Sequence, residues 1–219
     1  MPVTDYVDGY CERVAPGLWG EPLNSLSNLA FLVAAVLVWR LAAGDRTGRL
    51  LAVLIGLVFA ASTTFHLLAT RWAGAGDSLF ILVFVLAYAG LFPHVFYGVR
   101  RRLSWLAAPA FLAVTVVTAL LGGGLYLSSL IGLFAFAAIL GFSRDAAWTH
   151  FAVAGAVFAL SLSLRTIDGD ACVVLPSGTH FLWHLLNGVV LYLVSRTMIR
   201  KSREGPLPAL RAGKGAFTA

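Results

Sequence analysis

Residues 78–98 read SLFILVFVLAYAGLFPHVFYG, twenty-one positions without a single Asp, Glu, Lys or Arg. About twenty mostly apolar residues suffice to cross a bilayer's hydrocarbon core as a helix. In lipid, the backbone must satisfy its own polar groups, which favours helices over open strands. Working outward for runs of the same kind, bounded by charged or glycine-rich breaks, gives seven: 23–41, 50–69, 78–98, 103–121, 125–142, 146–164 and 178–199. The break Gly122-Gly123-Gly124 reads as a tight turn at the membrane surface.

Composition points the same way. Of 219 residues, 59% are hydrophobic and only 12% charged, about half the charged share of a soluble domain. The expected fold is an all-α membrane protein, a seven-transmembrane helix bundle forming one domain over residues 1–202. The basic tail over 203–219 is rich in Gly, Pro and Ala and is expected to be disordered. The first twenty residues carry Asp5, Asp8 and Glu12 and lack a basic run followed by an apolar stretch. They do not read as a signal peptide, so the first span is expected to insert uncleaved.

The net charge of +6 could suggest nucleic acid, but its distribution reads as topology. With seven spans, the N-terminus and the even loops share one side, holding Arg13, Arg71 and Arg165. The other thirteen basic residues lie opposite, while seven of the ten acids lie with the N-terminus. The positive-inside rule then puts the N-terminus outside and the C-terminus in the cytoplasm. No nucleic-acid partner and no obligate protein partner is expected. The two cysteines, Cys11 and Cys172, both fall on the outer, oxidising side and are expected to pair, with two unrelated buried thiols as the alternative.

Polar groups inside spans are costly and each needs a reason. The last span opens GTHFLWHLLNG from Gly178, placing His180 and His184 one turn apart on one face. That spacing can present two imidazoles to one metal, clamp a haem, or hydrogen-bond neighbouring helices. His66 lies about a turn from the outer end of the second span, so topology sets all three histidines at similar depth. Three histidines with an open position are the usual ligand set of a catalytic zinc, whereas structural sites are closed by four protein ligands. Zinc lowers the pKa of a coordinated water to roughly 7.

Asp77 opens the third span at the same surface. Alone it reads as a helix cap; beside three histidines it reads as a general base. Ser62, one turn deeper than His66, either polarises a substrate carbonyl or bonds back to its own helix. Glu21, Asn24 and Asn28 form a polar stripe with Ser27 beside it, expected to face the bundle interior as support for a metal site or as helix–helix glue. His94 and His150 lie toward the cytoplasmic ends of their spans and are expected to have no ligand role.

The set Glu21-x-x-Asn24-x-x-Ser27-Asn28, Ser62-x-x-x-His66, Asp77 and His180-x-x-x-His184 resembles the alkaline ceramidases. These belong to a superfamily of seven-helix membrane hydrolases that includes the adiponectin-receptor-like proteins. The resemblance spans nearly the whole chain. It implies a zinc ion on His66, His180 and His184, Asp77 as the water-activating carboxylate and Ser62 as the carbonyl-polarising hydroxyl. The implied reaction is hydrolysis of the N-acyl amide of a ceramide-like membrane lipid, at the outer face of the membrane. The resemblance also implies an outward calcium site on Glu21, Glu12 and Asp8, and a Cys11–Cys172 disulfide. A receptor-like protein with a zinc site, a hydrolase of another acyl lipid and a haem protein are the alternatives.

Overall fold

Helices stand wherever the apolar runs do. The computed structural model describes residues 2–205, so residues 206–219 of the expected tail lie outside it. The helices are α1 (Pro22–Ser27), α2 (Leu29–Leu41), α3 (Arg46–Leu68), α4 (Arg71–Tyr97), α5 (Arg101–Ser104), α6 (Ala107–Leu120), α7 (Gly124–Phe142), α8 (Trp148–Thr166), α9 (Asp168–Ala171) and α10 (His180–Glu204). Among the described residues the only extended pairing is a bridge between Tyr6 and Thr70. Five helical segments are long and apolar enough to cross a membrane: Pro22–Leu41, Arg46–Leu68, Arg71–Tyr97, Arg101–Leu120 and His180–Glu204. Large apolar side chains cover the outside of the bundle, Leu120, Phe142 and Leu160 among them. An apolar exterior around a buried polar core suits a bilayer solvent.

The joints differ from the simple runs. The first run breaks at Asn28, whose amide donates to the carbonyls of Asn24 and Ser25. A side chain that claims those acceptors competes with the helical ladder and separates α1 from α2. The third run begins at Arg71, seven residues before the expected start. Gly74 sits inside α4, where a Cβ would lie 2.9 Å from the Phe65 ring. The glycine is there to let α4 pack on α3, and the two helices are joined through Ala69, which adopts φ +49°.

Pro93 inside α4 is bridged from outside. The Ser104 hydroxyl donates to the Gly90 carbonyl and accepts from the His94 N–H, occupying the gap between an i, i+4 backbone pair. Proline interrupts the ladder, and a neighbouring hydroxyl re-satisfies it, as membrane helices require. The His94 imidazole bonds the Val99 carbonyl, far from any ligand role.

α10 is the central element, packed on α8, α2, α3, α1 and α4. Gly188 allows the close approach to α2, where an added Cβ would lie 3.0 Å from the Ala30 backbone. At the end of α10 away from His180, Lys201 pairs with Asp145 at 2.5 Å in a buried contact. Asp145 also accepts from the Ala147 N–H just before α8.

The N-terminal segment lies across the α3–α4 turn. Val7 N–H donates to the Ala69 carbonyl, Arg71 N–H to Asp5 and Trp72 N–H to Val3. Gly17 N–H donates to the Leu67 carbonyl. Cys11 and Cys172 are joined as a disulfide with Cα atoms 5.3 Å apart, fastening this strap to the segment before α10.

Candidate metal centre

α3 brings His66 to the strap one turn from its end, and α10 begins with His180 and carries His184 one turn on. All three rings are buried, and one nitrogen from each lies within 4.8 Å of the others. This group could hold a metal ion. His66 Nε2 and His184 Nε2 face each other at 3.2 Å.

The partners of the opposite ring nitrogens decide what those two atoms can do. His66 Nδ1 lies 2.9 Å from the Glu21 carboxylate, which Arg13 contacts at 2.6 Å. The Glu21 contact is the shorter of two at Nδ1, since Arg13 Nη2 stands 3.4 Å away, and on that ground the proton is assigned to Nδ1. His184 Nδ1 lies 2.8 Å from Ser27 Oγ. The Ser27 hydroxyl donates to the Asn24 carbonyl, so it accepts from His184 Nδ1–H. With the protons so assigned, both Nε2 atoms face each other as acceptors inside the protein. Two lone pairs at that distance repel unless a cation lies between them. Orienting partners of this kind are the usual support of metal-bound imidazoles.

His180 is set differently. Asp168 of α9 accepts from the Thr179 and His180 N–H groups through Oδ1 and from Cys11 N–H through Oδ2. That one carboxylate seats the start of α10 and the strap together. Gly178 makes room for it, since its φ is +60° and a Cβ would meet Asp168 Oδ1 and Cys11 Cβ. Tyr10 stacks on the His180 ring at 3.8 Å between centroids, and burial pushes its phenol pKa up. His180 Nδ1 is buried without a hydrogen-bond partner.

Asp77 lies within α4, six residues after its start at Arg71, so it does not cap the helix. Its Oδ1 is buried and unpartnered. The carboxylate lies beside the Ser62 hydroxyl and in the field of His66, and Ser62 is itself buried on α3. Ser62, His66, His180, His184 and Asp77 thus converge from three helices. Orphaned polar atoms on Asp77 and His180, together with the opposed Nε2 pair, are what a ligand-binding centre leaves when its ligand is not counted.

The acids expected to bind calcium each have a defined place in the structure. Both oxygens of Glu21 are engaged, Oε1 by Arg13 and Oε2 by His66 and the Asn24 amide. Glu12 accepts from the Leu23 and Asn24 N–H groups at the start of α1. Asp8 is exposed, and among the described residues the three histidines are the one group arranged to hold a metal. The buried Arg13 guanidinium supplies the positive charge beside Glu21.

Beneath the polar cluster lies an apolar cavity between α2, α3, α4, α7 and α10. Phe31, Val58, Ile81, Tyr126, Trp183 and Val190 contribute to its walls. Val58, Ile81 and Asn187 stand about one turn along their helices from Ser62, Asp77 and His184. Phe31 meets the edge of the His184 ring at 5.7 Å. The cavity wall thus begins about one helical turn from the polar cluster.

Several site residues escaped the sequence reading. Arg13 and Asp168 were counted only as topology charges, and Tyr10 not at all. Arg165 belongs with them: its guanidinium lies over the Tyr126 ring at 4.7 Å and the Trp183 ring at 5.6 Å. The available signal was its position, a rare basic residue on the acid-rich side. Against known families and curated proteins, the sequence matches no family model and no curated protein.

Proposed function

We propose that the protein is a zinc-dependent intramembrane amidase that hydrolyses an N-acyl membrane lipid of the ceramide type. The observation that carries this reading is the convergence of three histidine nitrogens, an orphaned Asp77 oxygen and the Ser62 hydroxyl about one helical turn from an apolar cavity. Zinc suits the donor set. Tetrahedral ligands about 2.0–2.1 Å from the ion stand roughly 3.3 Å apart, close to the observed Nε2···Nε2 separation of 3.2 Å. In this reading seven helices span the membrane, with the N-terminus and the histidine cluster at the outer face. The asymmetry of basic residues supports that orientation.

A bound zinc would supply an activated water and a Lewis acid. The chain's own groups do the rest. The cavity takes an acyl chain and so brings the amide carbonyl to headgroup depth, beside Ser62. The Ser62 hydroxyl donates to the carbonyl oxygen as negative charge develops there. Asp77 accepts the proton from the attacking water and returns it to the departing nitrogen as the carbon–nitrogen bond breaks. The products are a fatty acid and an amine. Glu21, Ser27 and Arg13 keep the His66 and His184 rings in the required tautomer throughout.

The test joins metal analysis with turnover of a fluorescent ceramide by detergent-solubilised protein. One equivalent of zinc and amide hydrolysis are expected, both lost in His184→Ala. Asp77→Ala should retain zinc and lose turnover by roughly 10²–10⁴-fold, the usual contribution of a general base. Zinc without hydrolysis of any N-acyl lipid would move the assignment to a receptor-like protein.

A further inference from the structure

The cation at the edge of the cavity is not needed to hold a metal or to move a proton. Arg165 sits in the last turn of α8, over two rings that pack edge to face at 4.9 Å and that both line the cavity. Trp183 directly precedes the ligand His184. Arg165 thus stands against the two rings that join the cavity wall to the start of α10.

What Arg165 lacks is an acid. Of the three basic residues on this side, Arg13 is neutralised by Glu21 and Arg71 lies 3.8 Å from Asp5. Arg165 takes part in none of the ion pairs among the described residues. Asp168 accepts from three backbone N–H groups, and neither it nor Asp77 forms an ion pair with Arg165. A guanidinium offers five donors in a fork that fits phosphate, and two aromatic faces hold its plane without consuming any of them. Arg165 is half-buried in the last turn of α8, where a headgroup at the surface can reach it.

We infer that the substrate is an acyl lipid whose headgroup carries a phosphate, and that Arg165 receives that phosphate while the amide lies at Ser62 and Asp77. This rests on the amidase reading above and narrows its substrate class. A neutral headgroup would leave the guanidinium unpaired in the complex; a phosphate would give it two charge-assisted hydrogen bonds.

The experiment compares two fluorescent lipids with the same acyl amide, an N-acyl sphingoid base and its 1-phosphate, on wild type, Arg165→Gln and Arg165→Lys. Zinc content serves as the folding control. The expected result is a kcat/KM for the phosphate lipid at least about tenfold above the neutral one, the worth of one charge-assisted hydrogen bond. That preference should collapse in Arg165→Gln through a rise in KM and survive in part in Arg165→Lys. A wild type that prefers the neutral lipid overturns the inference. So does an Arg165→Gln that slows both lipids alike, or one that only relieves inhibition by free fatty acid, which would assign the cation to the product carboxylate. If wild type hydrolyses neither lipid, the amidase reading falls separately. Quenching of tryptophan fluorescence then decides the anion site: tighter binding of the phosphate lipid, lost in Arg165→Gln, upholds it, and equal binding of both lipids overturns it.

Discussion

The Nδ1 edge of His184 meets a Ser27 hydroxyl that itself donates to the Asn24 carbonyl. Ser27→Ala should leave the fold intact and free the ring to rotate. Zinc affinity is expected to fall roughly 10–100-fold, the usual cost of losing an orienting partner, as read by competition with a chelator. Unchanged affinity would mean that Ser27 is helix–helix glue only. Glu21→Gln is a harsher change, because Arg13 and Glu21 are both fully buried. The neutral amide strands the Arg13 guanidinium, and breaking a buried pair from one side costs about 3–5 kcal/mol. Thermal stability is therefore expected to fall together with zinc affinity, whereas Ser27→Ala separates the two. The histidines, Asp77 and Ser62 were legible in the sequence because helix periodicity and depth suffice to align them. Arg13 was not, since its meaning depends on Glu21 and His66 reaching it from other segments, and no local pattern encodes that.

At the scale of elements, the apolar runs announced every major helix, since spanning length is a property of one segment by itself. The joints were illegible for the opposite reason. Asn28 breaks the first run through its own side chain, but the start of α4 at Arg71 depends on Gly74 meeting Phe65 of α3. The Pro93 bridge likewise needs a hydroxyl from α5. That bridge makes a sharp prediction. Ser104→Ala leaves the Gly90 carbonyl and the His94 N–H without their shared partner and should cost about 1–3 kcal/mol. In a Pro93→Ala background α4 can straighten and close that backbone pair itself, so the same substitution should cost less. A double-mutant cycle on thermal stability measures the difference; simple additivity would show that Ser104 acts by packing alone.

At the scale of the whole molecule, orientation and the strap are linked, because the disulfide and the histidine cluster occupy one end of the bundle. A cysteine placed at the exposed Val174 should react with an impermeant thiol reagent from outside intact cells, and one placed at Arg144 only after permeabilisation. Labelling on the reverse sides would invert the topology and put the metal centre in the cytoplasm. The disulfide itself spans 161 residues. In a soluble protein, closing so long a loop would stabilise by roughly 4–5 kcal/mol through restriction of the unfolded chain. In a bilayer the spanning helices remain inserted and hydrogen-bonded even when their packing is lost, so that global gain shrinks. Its effect should instead fall on the strap, where Tyr10 covers His180 and Cys11 N–H completes the Asp168 hydrogen bonds that seat α10. The Cys11→Ser, Cys172→Ser double variant is thus expected to keep its full helical circular dichroism at 25 °C. Its zinc should pass to a chelator faster by about an order of magnitude, on the scale of a lost supporting contact. Loss of helicity would make the disulfide a staple of the whole bundle, and an unchanged rate of zinc transfer would detach the strap from the metal centre altogether.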